Sequence, residues 1–337
     1  MSHAAVLLLL AACTCEAAPE PAAEDRGASP RDFFPARPGD RWRMDSGESL
    51  AVTALTEDGV AVFFGSDRTS AERYRVTDDA VLLVTPEGEA IAPWLERPME
   101  VGHRWRYSLG DAQCEAQYAT VETTAEVAGL SFEHCIEVRR RCQYPAGKPF
   151  PVATAELREE TWCPYVGRVE ETLRLDPRPS IEGAPAERRW RVAYYRVAGA
   201  PAPPRPERFD CDGFLLMETD VQAACGPRLR QTERSDEGGC TLRFAGPDGE
   251  LTVHAERLDR PVTADDADAQ LTALAPEASV LRDEDDLRIR AGEGMNTEGG
   301  AFALAQGEHV IAVRWSAACP LERARRLAPL LRSLVSE

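Results

Sequence analysis

Eight cysteines lie beyond residue 100: Cys114, Cys135, Cys142, Cys163, Cys211, Cys225, Cys240 and Cys319. They constrain the chain more tightly than any hydrophobic pattern, because a disulfide requires its two Cα atoms to lie within about 7 Å. Zinc is the competing use of cysteine. No two of the eight stand in C-x-x-C spacing, so the metal reading is poor and no metal or other cofactor is expected. An even number of cysteines in a chain that looks exported points to disulfides instead.

Two more cysteines, Cys13 and Cys15, follow an apolar stretch, Ala4–Ala12. That stretch is far below the roughly 20 residues that span a bilayer, and it fits the core of an export signal. "LAAC" at Leu10–Cys13 resembles the lipobox of bacterial lipoproteins: Leu, two small residues, then the cysteine that is acylated and becomes the first residue of the mature chain. Small residues admit the peptidase, and a thiol is the nucleophile that takes up a diacylglyceryl group. One departure is the start, Met1-Ser2-His3, which has no Lys or Arg. The resemblance implies a signal peptide over 1–12, lipidation at Cys13 and anchoring to a membrane of the cell envelope. Cys15 fits less well, with Ala12 rather than Leu three residues before it. Residues 13–30 are rich in Ala, Pro and acid, cannot bury enough to offset chain entropy, and are expected to form a disordered tether.

Residues 31–198 read as β throughout. Short runs such as "SLAVTALT", "GVAVFFG" and "DAVLLVT" are separated by turn residues. In "FEHCIEVRRR", Phe132, His134, Ile136 and Val138 fall on one face. "PGDRWRM" at Pro38–Met44 echoes "VGHRWRY" at Val101–Tyr107, which predicts two equivalent strand starts with Trp42 and Trp105 on the core. "FFPARPGDRWRM", "LSFEHCIEVRR" and "TWCPYVGRVEETL" resemble a group of uncharacterised bacterial envelope proteins with "YPL-x-x-G-x-x-W-x-Y" and "WYAPGVGLV" patterns. That resemblance implies a β-rich, non-catalytic domain. The strands before and after "QYPAGKPFPV" form a hairpin centred near Pro149, which sets Cys135 opposite Cys163, each fourteen residues from the centre. The preceding pair, turning at Gly129, brings Cys114 close to Cys142.

"GAPAPPRPERFD" opens with a Pro-rich linker, 199–208. Residues 209–337 alternate predicted helices and hairpins. "FLLMETDVQAACG" reads as a helix closed by Gly226, "TADDADAQLTALA" as a second with Thr263 as N-cap, and "PLERARRLAPLLRSLVSE" as a final amphipathic helix. Hairpins turn at Pro247-Asp248-Gly249 and Gln306-Gly307. The placing of Cys211, Gly226, Cys240 and Cys319 resembles small lipoprotein domains of the DUF3558 and LpqN type. The fold expected is therefore mixed: a mainly-β domain, as an antiparallel twisted sheet or half-barrel, followed by a smaller α+β sandwich. If Cys211 and Cys225 bracket a helix, a rise of about 1.5 Å per residue keeps them apart. Two pairings remain, Cys225–Cys240 with Cys211–Cys319, or Cys211–Cys240 with Cys225–Cys319. The first is preferred because "GPRLRQTERSDEGG" reads as a polar, easily closed loop.

Net charge is −18, which argues against nucleic acid as a partner. No G-x-S-x-G elbow, P-loop or H-E-x-x-H occurs, and the five histidines have no metal-ligand spacing. The acids of 265–270 lack the frame of an EF-hand; "RDEDD" at Arg282–Asp286 reads as a solvated turn and Ala291–Phe302 as a surface loop. The function these features favour is that of a lipid-anchored envelope protein acting by binding or structure rather than catalysis. Its expected partners are the membrane and an envelope protein or apolar ligand. Two rivals are a carrier of an apolar ligand inside the β-domain and a hydrolase whose site comes from distant loops.

Overall fold

The computed structural model describes residues 28–65, 71–147, 152–177, 187–204, 209–211, 213–284, 287–291 and 299–335. Cys13, the signal segment and nearly all of the tether lie outside them, as does 292–298 of the Gly-rich stretch.

Twelve strands form one antiparallel sheet: β1 (Arg41–Met44), β2 (Ser49–Leu55), β3 (Val60–Gly65), β4 (Glu72–Val76), β5 (Ala80–Val84), β6 (Ala90–Glu96), β7 (Arg104–Leu109), β8 (Ala112–Val127), β9 (Leu130–Tyr144), β10 (Thr154–Cys163), β11 (Gly167–Asp176) and β12 (Glu187–Arg196). Their spatial order is β6-β5-β4-β3-β2-β1-β12-β11-β10-β9-β8-β7. Two meanders are thus joined where β1 pairs with β12, and the outermost strands, β6 and β7, are consecutive in the chain. The sheet rolls until those edges meet. Side chains rather than a ladder close the seam: Trp105 Nε1 donates to the Pro93 carbonyl (3.1 Å), Tyr118 Oη to the Glu96 carbonyl (2.7 Å), and Arg140 to the Trp94 carbonyl. Capping the edge carbonyls in this way, beside a proline that donates nothing, blunts a strand edge that would otherwise recruit other chains.

The echoed motif occupies equivalent places. Gly39 (φ +97°) and Gly102 (φ +86°) take the left-handed turn that precedes β1 and β7. Trp42 and Trp105, both buried, each donate an indole N–H to a backbone carbonyl, of Val166 and Pro93 respectively.

Register at β8–β9 is set by a two-residue turn, Ala128-Gly129, with both φ positive as a type I′ hairpin needs. A ladder run straight from that turn would set Cys114 opposite Gln143. Bulges between Tyr118 and Ala125 take up one residue and bring Cys142 opposite Cys114. The same irregularity corrects the expected face of β9. His134 lies at φ +58° and points to solvent, while Phe132, Ile136 and Val138 are buried. Cys135 is buried as well and meets Cys163 at the end of the β9–β10 ladder.

A seven-stranded antiparallel sheet follows, in the order β13-β14-β15-β19-β18-β17-β16. Its strands are β13 (Arg230–Ser235), β14 (Cys240–Gly246), β15 (Gly249–Arg257), β16 (Val280–Glu284), β17 (Leu287–Ala291), β18 (Gly299–Gln306) and β19 (His309–Ser316). Helices α1 (Glu218–Cys225), α2 (Ala264–Leu274), α3 (Leu321–Ala324) and α4 (Ala328–Val335) pack on it. Thr263 caps α2, its Oγ1 accepting from Asp266 N while the Asp266 carboxylate accepts from Thr263 N. The mixed architecture is that expected: a large, mainly-β part and a smaller α+β part.

Three local expectations need correction. The first helix spans only Glu218–Cys225, because Phe214–Met217 are buried in irregular chain. The polar stretch 226–239, expected as a loop, holds β13, an edge strand with little burial on either face and hence no alternation to read. The last helix is divided by a 3₁₀ turn at Arg325–Leu327, just before Pro329, whose missing N–H cannot bond back to residue 325.

The disulfides are Cys114–Cys142, Cys135–Cys163, Cys211–Cys240 and Cys225–Cys319. In the second half this reverses the preferred pairing, Cys225–Cys240 with Cys211–Cys319. Cys211 sits beside the β13–β14 turn, its N–H donating to Asp236 Oδ1 (2.7 Å), so Cys240 at the start of β14 is its neighbour. Cys225 ends α1, which packs on α3, and Arg323 Nη1 donates to the Cys225 carbonyl (3.2 Å). Cys319, directly before α3, is therefore in reach.

Candidate functional site

The inner face of the rolled sheet holds a charge cluster that a β-rich core does not ordinarily contain. Parity places Arg140 on the same face as Ile136, Val138 and Cys142. Glu160 on β10 stands directly opposite Glu171 on β11. Like charges so opposed repel, and three arginines offset that repulsion. Arg140 Nε meets Glu160 Oε2 at 2.7 Å, with both side chains essentially inaccessible to solvent. Arg168 Nη1 bridges the two glutamates, at 3.0 Å from Glu160 and 2.5 Å from Glu171. Arg158 reaches Glu171 (3.3 Å) and Glu156 (2.8 Å). Tryptophans sandwich the guanidinium groups: Arg140 lies over Trp94 (4.5 Å) and Trp105 (5.7 Å), Arg168 over Trp190 (4.9 Å) and Trp162 (5.6 Å).

Burial alone would push the Glu160 carboxyl up. The attraction of Arg140, Arg168 and Arg158, with the Arg140 hydrogen bond, outweighs it and holds the group down at about 2. Burial likewise opposes the charge on Arg168, and the facing Glu171 and Glu160 overcome it. Glu160 is thus held ionised and is neutralised by protein, which makes the cluster a structural clamp for β9, β10 and β11. The hollow beside it, lined by Phe34, Trp42, Phe63, Tyr74, Trp162 and Arg168, measures about 40 Å³. That holds a few waters at most and has no room for an acyl chain.

A wider opening lies between the two sheets. Arg41 on β1 fixes their relation: its guanidinium makes paired bonds of 2.6 and 3.0 Å to the Asp220 carboxylate and a third to the Leu215 carbonyl (3.1 Å). Arg196 at the end of β12 donates to the Ser333 carbonyl in α4. Beside these ties a cleft of about 350 Å³ is walled by Tyr194–Val197, by Ala200–Pro203 of the linker, and by Phe209, Leu215, Arg257, His309, Leu334 and Val335. The Phe209 ring stands edge-on to His309, centroids 5.0 Å apart. A pocket of this volume at a domain junction is of the kind that accepts a small ligand.

The sequence singles out none of the cleft residues for chemistry; His309 figures there only among the five histidines without metal-ligand spacing. The other described histidines stand apart from it: His254 Nδ1 shares a hydrogen with Thr241 Oγ1 (2.8 Å), and His103 Nε2 lies 3.2 Å from Glu96. Among the described residues, no group of three or more His, Cys, Asp or Glu side chains is placed to hold a metal, and no helix is long and apolar enough to cross a membrane.

No protein-family model and no curated protein matches the chain. Among solved structures, a Bacteroides fragilis NCTC 9343 protein with YmcC-like fold aligns at 14% identity and TM-score 0.32, covering 50% of this chain and 100% of that one. A likeness of that size says nothing about function.

Proposed function

We propose that the chain is an extracytoplasmic protein held to a cell-envelope membrane by a lipid on Cys13, acting by binding rather than by catalysis. The observation that carries this reading is the state of the body cysteines: all eight are bridged. Such a set is stable outside the reducing cytosol, and it agrees with the lipobox-like "LAAC" ahead of it. The cleft between the sheets supports binding as the activity. The carrier reading is less favoured, since the hollow inside the rolled sheet is about 40 Å³. Fractionation of cells expressing the full chain and its Cys13→Ala variant tests the anchor. The parent should sediment with membranes and the variant should become soluble or remain an unprocessed precursor. Unchanged membrane association of a processed Cys13→Ala chain would overturn the reading.

A further inference from the structure

We infer that the outer face of the rolled sheet, across β7 to β12, is a docking surface for a linear acidic polysaccharide. The choice of a polysaccharide among polyanions rests on the extracytoplasmic reading above; the surface itself does not.

Register is the first observation. Two neighbouring rows of outward side chains cross the six strands in line. One row is Arg104, Gln117, Arg139, Glu159, Thr172 and Arg189. The next is Arg106, Glu115, Arg141, Leu157, Arg174 and Glu187. All of them are exposed or half-buried, whereas the inward neighbours Trp105, Ala116, Arg140 and Glu160 are buried. Six arginines therefore stand with three glutamates, on a chain of net charge −18. Pairing is the second observation. Glu115 serves both Arg104 (3.5 Å) and Arg106 (2.8 Å), while Glu159 serves Arg139 (3.5 Å) and Glu187 serves Arg174 (2.9 Å). Arg141 stands opposite Glu115 on the ladder but lies against the Gln143 amide (2.7 and 3.0 Å). Arg189 shares Glu170, outside the rows, with Arg191. Further along the β8–β9 hairpin the face turns acidic, at Glu126, Glu133 and Glu137, so the positive excess is confined to a band. Such a band on so acidic a molecule attracts anions locally. Shape is the third. A trough of about 340 Å³ is lined by Arg139, Arg141, Leu157 and Arg174. With strands about 4.8 Å apart, each row is about 24 Å long, and the arginines of β7, β9 and β11 recur about every 10 Å along the second. A polymer with repeated anionic groups engages several of them at once, and Gln117 and Thr172 offer neutral partners to sugar hydroxyls. The face curves across the strands, because the sheet rolls until β6 and β7 meet. A flat bilayer touches few strands of such a face, whereas a flexible chain follows the curve.

Fluorescence anisotropy with a fluorescein-labelled alginate oligosaccharide tests the inference against labelled neutral dextran, using the full chain carrying Cys13→Ser. The expected result is saturable alginate binding at low salt, no dextran binding, and loss of the alginate signal near 1 M salt, where the screening length is about 3 Å. The combined variant Arg106→Gln, Arg141→Gln and Arg174→Gln should bind about tenfold more weakly or worse, since each exposed charge contact contributes up to about fivefold. Arg228→Gln, Arg230→Gln and Arg243→Gln together remove the same charge from exposed positions of the second sheet and should change binding less than about twofold. Arg104→Gln with Arg139→Gln, in the other row, is the second variant should the first fail to fold, and should weaken binding in the same direction. Absence of saturable alginate binding, equal binding of dextran, or an equal loss in the second-sheet control would overturn the assignment. Tighter binding of duplex DNA or of phosphatidylglycerol vesicles, with the same dependence on the row arginines, would overturn the choice of a polysaccharide. None of these outcomes alters the fractionation result on Cys13, so failure of the docking surface and failure of the anchor are told apart.

Discussion

Replacing Glu160 by Gln removes one negative charge from the interior of the rolled sheet while keeping shape and an acceptor oxygen. In the parent, that carboxylate accepts from Arg140 Nε (2.7 Å), Arg168 Nη1 (3.0 Å) and Trp162 Nε1 (3.3 Å), and its side chain is fully buried. Its pKa falls from an ordinary 4.5 to about 2, against the upward push of burial, because Arg140, Arg168 and Arg158 surround it. A fall of that size corresponds to about 3 kcal/mol of stability at neutral pH. Leaving Arg140 and Arg168 without their partner should cost a similar amount, about 3–5 kcal/mol. The sign with pH follows from a folded-state pKa below the unfolded one. The contribution is complete above about pH 4.5 and is lost as pH falls toward 2. Guanidinium unfolding followed by tryptophan fluorescence reads the right part of the molecule, since Trp42, Trp94, Trp105, Trp162 and Trp190 lie in the rolled sheet and Trp315 alone in the second. Glu160→Gln should lose about 3 kcal/mol at pH 7 and show a flatter acid limb than the parent. Glu159→Gln, in an exposed pair with Arg139, should lose less than about 1 kcal/mol. A loss below about 1 kcal/mol for Glu160→Gln would refute the clamp, since no buried pair of this kind breaks so cheaply.

Asp220→Asn breaks the buried tie from Arg41 between the two sheets and should split one calorimetric transition into two; a single transition at the parent temperature would count against the tie. Cys225–Cys319 closes a span of 94 residues and Cys211–Cys240 one of 29, so loop entropy makes removal of the first by paired Ala substitutions more costly by about 1 kcal/mol in chemical unfolding. Gly300→Ala should destabilise the second sheet by about 1–3 kcal/mol in thermal melts, because the added Cβ would lie 2.5 Å from the Trp315 ring and 2.7 Å from the Arg290 carbonyl.

What the sequence displays and what it hides divide along physical lines. Strands half-buried on one face, such as β7 and β8, announce themselves by alternation, and the turn at Ala128-Gly129 by its glycine. The β9–β10 hairpin is legible because its two strands flank one turn-rich connection symmetrically. Edge strand β13 was not, since neither of its faces is buried enough to impose a pattern. Arg140 and Glu160 stand among several other charges in their strands, and nothing local says that they meet, because their contact is made across strands. The second-half pairing turned on the stretch 226–239, which reads as a closable loop but holds β13, and the apolar run Phe214–Met217 reads as helix although it is buried irregular chain. The cleft is drawn from β12, the linker, β15, β19 and α4, and no stretch of sequence carries its signature.

Non-reducing peptide mapping of the protein purified from its own envelope tests the account most directly, because one digest reports both the anchor and the bridges. The expected digest contains a diacylated peptide beginning at Cys13 and four linked pairs, Cys114–Cys142, Cys135–Cys163, Cys211–Cys240 and Cys225–Cys319. Free thiols among those eight, a Cys225–Cys240 peptide, or a mature N-terminus at any residue other than an acylated Cys13 would contradict it.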